Sequence, residues 1–151
     1  MPDFSGLVDT FTLGVLWPFV FGVPERDPMA KRILVADDSA VMRRQIRTIL
    51  ELDRDVEVCA EAVNGLEAVQ KAQECFPDLV VIDVLMPGMN GLEATRKIKQ
   101  LVPPLPVLLF TLDSSAQLER ESKQAGADAI LVKAEGAARL SGVIHALLHR
   151  D

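Results

Sequence analysis

The sequence has little of what most catalytic and redox chemistry needs. Cysteine is scarce: Cys59 and Cys75 are the two in 151 residues, and neither sits in a CxxC or histidine-rich setting. That excludes a zinc ribbon or a dithiol centre and suits a reduced, cytoplasmic protein in which both are small apolar residues. There is no Walker motif, no GxGxxG and no nucleophilic Ser–His pair, which removes nucleotide-binding and α/β-hydrolase readings. The two histidines, His145 and His149, fall on the last helix pattern, far from the strand ends, and read as surface residues. Positive charge is also in deficit, with 16 Lys and Arg against 22 Asp and Glu for a net −6. Phosphate backbones are held by clustered Lys and Arg, so direct DNA binding is not expected. The small basic cluster Arg43, Arg44 and Arg47 lies on one helix pattern and reads as a solvated face.

Long apolar runs are missing too. The stretch from Phe11 to Val23 is broken by Pro18 and Gly22 and falls short of the roughly 20 residues that span a bilayer. Asp3 and Asp9 stand where a secretory signal carries Lys or Arg. No membrane insertion is expected. Residues 1–28 nevertheless differ from the rest, holding the only Trp, four of the six Phe and four of the nine Pro. The chain therefore divides into an apolar extension, 1–28, and a domain, 29–151. Three readings of the extension stay open: a disordered or loosely docked arm, an interaction peptide, or a start assigned upstream of the true one at Met29.

What is present is an alternation. Five apolar runs, at residues 33–36, 56–60, 79–82, 107–110 and 129–132, are each followed by a helical pattern. Near-continuous Val, Ile and Leu in three of them predicts parallel strands covered on both faces. The helices are marked by Met42, Ile46, Ile49 and Leu50; by Leu66, Val69 and Ala72 behind Asn64; by Leu92, Thr95 and Ile98 ahead of Pro103-Pro104; by a polar stretch from Ser114 to about Ala125, stopped at Gly126; and by Leu140, Val143, Ile144, Leu147 and Leu148. Five βα units of this size imply an α/β protein, a doubly wound five-stranded parallel sheet with right-handed crossovers.

In such sheets the ligand site lies beyond the carboxyl ends of the strands. The first run ends in Asp37-Asp38, the third in Asp83, the fourth in Thr111 and the fifth in Lys133, while the second ends in Glu61-Ala62 and offers nothing comparable. Clustered carboxylates repel one another, and a hard divalent cation resolves the conflict; Mg²⁺ fits best, since it takes one or two carboxylates and keeps waters that a phosphate oxygen can replace. Lys133 adds a second positive charge and Thr111 a neutral donor. Together they describe a site for an oxygen-bearing anion.

Ile33-Leu34-Val35-Ala36-Asp37-Asp38-Ser39 and Val80 through Asp83 to Gly91, with Thr111 and Lys133, resemble the signature stretches of CheY-like response-regulator receivers of two-component systems. The resemblance covers about four fifths of the chain. Residues 61–68 and 91–95 are similar to the NarL/FixJ-type branch. It implies a flavodoxin-like (βα)5 fold with strand order 2-1-3-4-5 and a phosphoacceptor at Asp83, supplied by a sensor histidine kinase or histidine phosphotransfer protein. It further implies that Asp38, Asp83 and the backbone carbonyl of Leu85 bind Mg²⁺ directly, that Asp37 acts through a metal-bound water, that Lys133 contacts the phosphoryl oxygens and that Thr111 moves inward to hydrogen-bond one of them. Catalysis beyond self-phosphorylation and slow autodephosphorylation is not implied.

The pattern departs from the family in three places. Ile130 stands where a rotating Tyr or Phe is common, Ala134 follows Lys133 where Pro is frequent, and Leu112 follows Thr111 where the family has Ala, Gly or Ser. Leu112 is expected to narrow access to Asp83, and Ile130 to replace the aromatic part of the switch. NarL/FixJ-type regulators usually continue into a helix-turn-helix domain, but the chain ends at Asp151 with no basic recognition helix. The expectation is a stand-alone receiver acting on a downstream protein target, with room for a phosphorylation-dependent dimer. The alternative is a pseudo-receiver that serves as a phosphorylation-independent interaction module.

Overall fold

The computed structural model describes residues 29–150, so the extension at 1–28, and with it every reading of that segment, lies outside the described residues. The chain alternates β1 (Lys31–Ala36), α1 (Ala40–Glu51), β2 (Val56–Ala62), α2 (Gly65–Glu74), β3 (Leu79–Ile82), α3 (Gly91–Leu101), β4 (Val107–Thr111), α4 (Ala116–Ala125), β5 (Ala129–Val132), a short 3-10 turn (Lys133–Glu135) and α5 (Gly136–Leu148). All neighbouring strands pair in parallel, in the order β2-β1-β3-β4-β5. This is the flavodoxin-like fold that the sequence implied.

Every residue of β3 and β4 is buried, which is why their sequences are apolar without alternation. The two-residue period of a strand still divides them between faces. Leu34, Val80, Ile82, Val107 and Leu109 pack with Ala68 and Val69 of α2 and with Leu92 and Ile98 of α3. Ile33, Val35, Val81, Leu108 and Phe110 pack on the other face with Ile46 and Leu50 of α1 and with Leu140 and Ile144 of α5. Each such side chain contributes about 1.5–3 kcal/mol on leaving water, and the two layers together fix the sheet edge from which the polar residues project.

Four helices open on a side-chain cap. Ser39, Asn64, Asn90 and Ser115 each accept a hydrogen bond from the backbone amide three residues on. Ser115 takes this role in α4, so Ser114 stays in the loop and the helix starts later than its polar pattern suggested. Gly126 closes α4 with φ 94°, a left-handed conformation that favours glycine. Strand β2 runs on to Ala62, past the apolar run that ended at Ala60, because its last residues continue the ladder with β1.

One glycine bears directly on the site. A Cβ at Gly91 would sit 2.0 Å from the carbonyl oxygen of Asp83, so only a residue without one lets the start of α3 press against the end of β3. The Gly91 amide donates to the Val84 carbonyl at 2.8 Å, and this contact holds the loop after Asp83.

Candidate functional site

The polar residues at the strand ends converge. Asp37 directly follows β1, Asp83 follows β3, Thr111 is the last residue of β4 and Lys133 follows β5. Their backbones belong to the ladder: the Asp37 amide donates to the Ala62 carbonyl at 3.0 Å, and the Asp83 amide donates to the Ala36 carbonyl at 2.9 Å. Lys133 Nζ reaches across the edge to Asp37 Oδ2 at 2.8 Å and to Asp83 Oδ2 at 3.3 Å. Asp37, Asp83 and Thr111 are buried, whereas Asp38 is exposed at the mouth. The other oxygen of each buried carboxylate takes a local amide, Ser39 N to Asp37 Oδ1 at 2.8 Å and Leu85 N to Asp83 Oδ1 at 3.4 Å.

The charges are only partly balanced. Burial pushes the Asp83 carboxyl above the ordinary carboxylate range; Lys133 opposes that rise and the neighbouring Asp37 adds to it. Burial works against the Lys133 ammonium, yet its hydrogen bond to Asp37 and the charges of Asp83 and Asp37 outweigh it and hold its affinity for the proton above that of a free lysine. One ammonium therefore serves two buried carboxylates, with a third beside them. Asp37, Asp38 and Asp83 can each present one oxygen within 4.8 Å of the others. An all-oxygen donor set with surplus negative charge fits a hard divalent cation such as Mg²⁺.

Two residues of this edge escaped the sequence reading. On sequence, Arg43, Arg44 and Arg47 read as one solvated face, and the end of β2 offers nothing comparable. Instead Arg43 Nη1 donates to the backbone carbonyl of Asp37 at 2.6 Å, and its Nε pairs with Glu61 Oε1 at 3.2 Å. Arg47 Nη2 binds the other Glu61 oxygen at 2.6 Å. Burial of Glu61 works the other way, but the two guanidiniums hold its carboxyl below the usual range. The register places Glu61 opposite Val35, next to the strand end that carries Asp37, so α1 lays Arg43 and Arg47 over β2, while Arg44 is exposed as expected. The available signal was a carboxylate at the end of the second run, which follows a basic helix.

The remaining expected residues lie around this centre. Leu85 and Leu112, in the loops after β3 and β4, are each 67% exposed. Ile130 in β5 is half-buried and packs against the core layer shared with α3 and α4. His145 is not the plain surface residue expected: it is half-buried and hydrogen-bonded to Asp53. Among the described residues no helix is long and apolar enough to cross a membrane.

Comparison with known proteins agrees with this geometry. The family profile described as the response regulator receiver domain matches residues 33–145. The chemotaxis protein CheY of Bacillus subtilis is 39% identical over 121 residues, which is 80% of this chain and all of that protein. A protein-glutamate methylesterase/protein-glutamine glutaminase of Pyrococcus abyssi is 50% identical over 56 residues, 37% of this chain but only 15% of its own length. The crystal structure of a LuxR-family two-component response regulator from Aurantimonas sp. SI85-9A1 superposes with a TM-score of 0.76 at 34% identity, covering 79% of this chain and 85% of that one. With its strand order, its convergent acidic edge and a family match over most of its length, the chain belongs to the CheY-like response-regulator receiver domains.

Proposed function

We propose that the chain is a stand-alone phosphoacceptor switch in which Asp83 takes a phosphoryl group from a phosphohistidine of a sensor kinase or histidine phosphotransfer protein. The observation that carries this reading is Lys133 Nζ bridging Asp37 and Asp83 at 2.8 and 3.3 Å over a buried strand end. In the transfer an Asp83 carboxylate oxygen forms a bond to phosphorus, the phosphorus–nitrogen bond breaks, and the departing imidazole keeps that electron pair and takes up a proton. Little covalent help is needed, because phosphoryl transfer depends mainly on position and charge compensation.

Asp38 and Asp83, with the Leu85 carbonyl, would hold Mg²⁺, and Asp37 would act through a bound water; the ion supplies charge neutralisation for the phosphoryl oxygens. Lys133 is the residue that turns from its two carboxylates to the incoming group. Thr111, buried at the end of β4, supplies a hydroxyl donor. The phosphoryl group adds roughly −1.5 to −2 charge and three acceptor oxygens, and drawing Thr111 inward shifts β4, α4 and β5 toward a second arrangement that a protein target reads. Ile130 packs along this path and takes the place of an aromatic rotor. Phosphorylation-dependent pairing of two copies through the same face belongs to this reading.

Beryllofluoride with Mg²⁺, followed by amide NMR, tests it. Shifts centred on Asp83, Thr111 and Lys133 are expected for the wild type and none for Asp83→Asn. An unresponsive wild type would instead identify a phosphorylation-independent interaction module.

A further inference from the structure

A second cluster lies at the opposite end of the sheet from the acidic edge. The turn between α1 and β2 carries Asp53 and Asp55, and the end of α5 brings His145, with His149 just beyond the helix, over it. His145 Nε2 is hydrogen-bonded to Asp53 Oδ2, and Ser141 Oγ donates to the same oxygen at 3.4 Å. The Asp55 amide donates to Asp53 Oδ1 at 2.9 Å and sets the turn. Asp53, Asp55 and His145 can each present one ligand atom within 4.8 Å of the others. The two imidazoles, His145 in the last turn of α5 and His149 just past its end, stack with centroids 5.8 Å apart and planes 15° apart. A cavity of about 270 Å³ opens beside them, lined by Asp55, His145 and His149 together with Met29, Lys31 and Leu148.

We propose that this cluster is a divalent transition-metal site of the zinc type, with Asp53, Asp55 and His145 as ligands and His149 completing the set. The donor chemistry separates it from the acidic edge. There every donor is oxygen, which suits a hard cation; here imidazole nitrogen joins carboxylate oxygen, which suits Zn²⁺ and its neighbours and offers little to Mg²⁺. The His149 amide still donates to the His145 carbonyl at 3.1 Å, so the pair keeps the four-residue spacing that delivers two nitrogens to one side of an ion. Two carboxylates match the charge of a dication, and among the described residues lining the cavity Lys31 alone carries an opposing ammonium. A tetrahedral zinc site spaces its ligand atoms about 3.4 Å apart; the three candidate atoms lie within 4.8 Å of one another and the hydrogen-bonded His145–Asp53 pair is closer than that spacing, so small side-chain movements on a turn and a helix end bring them into place. The ion takes the place of the hydrogen atom between His145 and Asp53. It would join segments 92 residues apart and so fasten α5 to the α1–β2 turn.

The test uses the full chain with Mg²⁺ in excess, so that the acidic edge is occupied by a hard cation, and adds zinc chloride. His145 and His149 are the only histidines in the sequence, so ring resonances report this cluster alone. Both rings are expected to shift together and saturate at one zinc per chain, with a rise in melting temperature. His145→Ala should weaken zinc binding by about tenfold or more and abolish that rise. Asp55→Asn, an exposed position that threatens folding less, should weaken it similarly. Unmoved ring resonances, a shift confined to His149, or wild-type affinity in either variant would overturn the proposal. None of these outcomes bears on phosphorylation of Asp83.

Discussion

Lys133 and Asp37 lie 96 residues apart in the chain, yet their side chains meet at 2.8 Å with almost no exposure to water. The same ammonium is also the near counter-charge of Asp83. Strand β5 is thus tied electrostatically to β1 and β3 across the edge where a phosphoryl group is proposed to enter. Releasing Lys133 from this pair is the event that an incoming anion or a bound cation can bring about.

Lys133→Ala is therefore expected to leave two buried carboxylates facing each other. Breaking a buried pair in this way costs about 3 kcal/mol. Most of that loss should return when Mg²⁺ is added, since the cation neutralises the same carboxylates. Urea denaturation with and without Mg²⁺ measures both effects, and a metal-independent loss would contradict the shared role.

Asp83→Asn is expected to stabilise the metal-free protein at neutral pH by about 1 kcal/mol. Burial, and then the Asp37 charge, hold the Asp83 carboxyl above its ordinary value of 3.8 despite Lys133. A carboxyl raised in the folded state costs stability when ionised, a cost fully present above its folded value and absent below its unfolded one. The advantage of the variant should therefore shrink as pH falls through that window. Melting curves of both proteins between neutral pH and the acid end of the carboxylate range check the sign.

Arg43→Ala should slow phosphorylation more than it harms folding. The Arg43 guanidinium holds the Asp37 carbonyl at 2.6 Å and so fixes the loop that carries Asp38. Its partner Glu61 is about one-third exposed, and ion pairs of that kind contribute about 1 kcal/mol or less. Loss of positioning is larger, so labelling by acetyl phosphate is expected to fall about tenfold. Glu61→Gln should have a smaller effect, because the Arg43–Asp37 bond survives it. Equal rates in wild type and Arg43→Ala would reduce the guanidinium to packing.

Leu112 is the residue through which access to Asp83 can be tested. At 67% exposure its truncation should change stability by less than about 0.5 kcal/mol. If it screens the pocket as the adjacent loop moves, Leu112→Ala will speed both labelling by acetyl phosphate and the later hydrolysis. Unchanged rates for both would remove that role.

The sequence disclosed the site better than its surroundings, for a physical reason. Asp37, Asp83, Thr111 and Lys133 each end an apolar run, and a parallel sheet sends the ends of all its strands to one edge. Placing the runs therefore placed the residues. Glu61 and Arg43 were hidden because an arginine's target lies across a packing interface that helical spacing does not describe. The Asp53–His145 contact was hidden likewise, since nothing local to α5 says which turn it covers. Boundaries moved where a cap or a ladder prevailed over hydrophobic pattern, as at Ser115 and Ala62.

The most direct measurement is peptide-level mass spectrometry of the chain after exposure to acetyl phosphate and Mg²⁺. A single phosphoryl group, released by alkali and by hydroxylamine as an acyl phosphate is, is expected on the peptide that contains Asp83, absent when Mg²⁺ is chelated and absent in Asp83→Asn. A phosphoryl group found on another residue, or labelling that persists in Asp83→Asn, would contradict it.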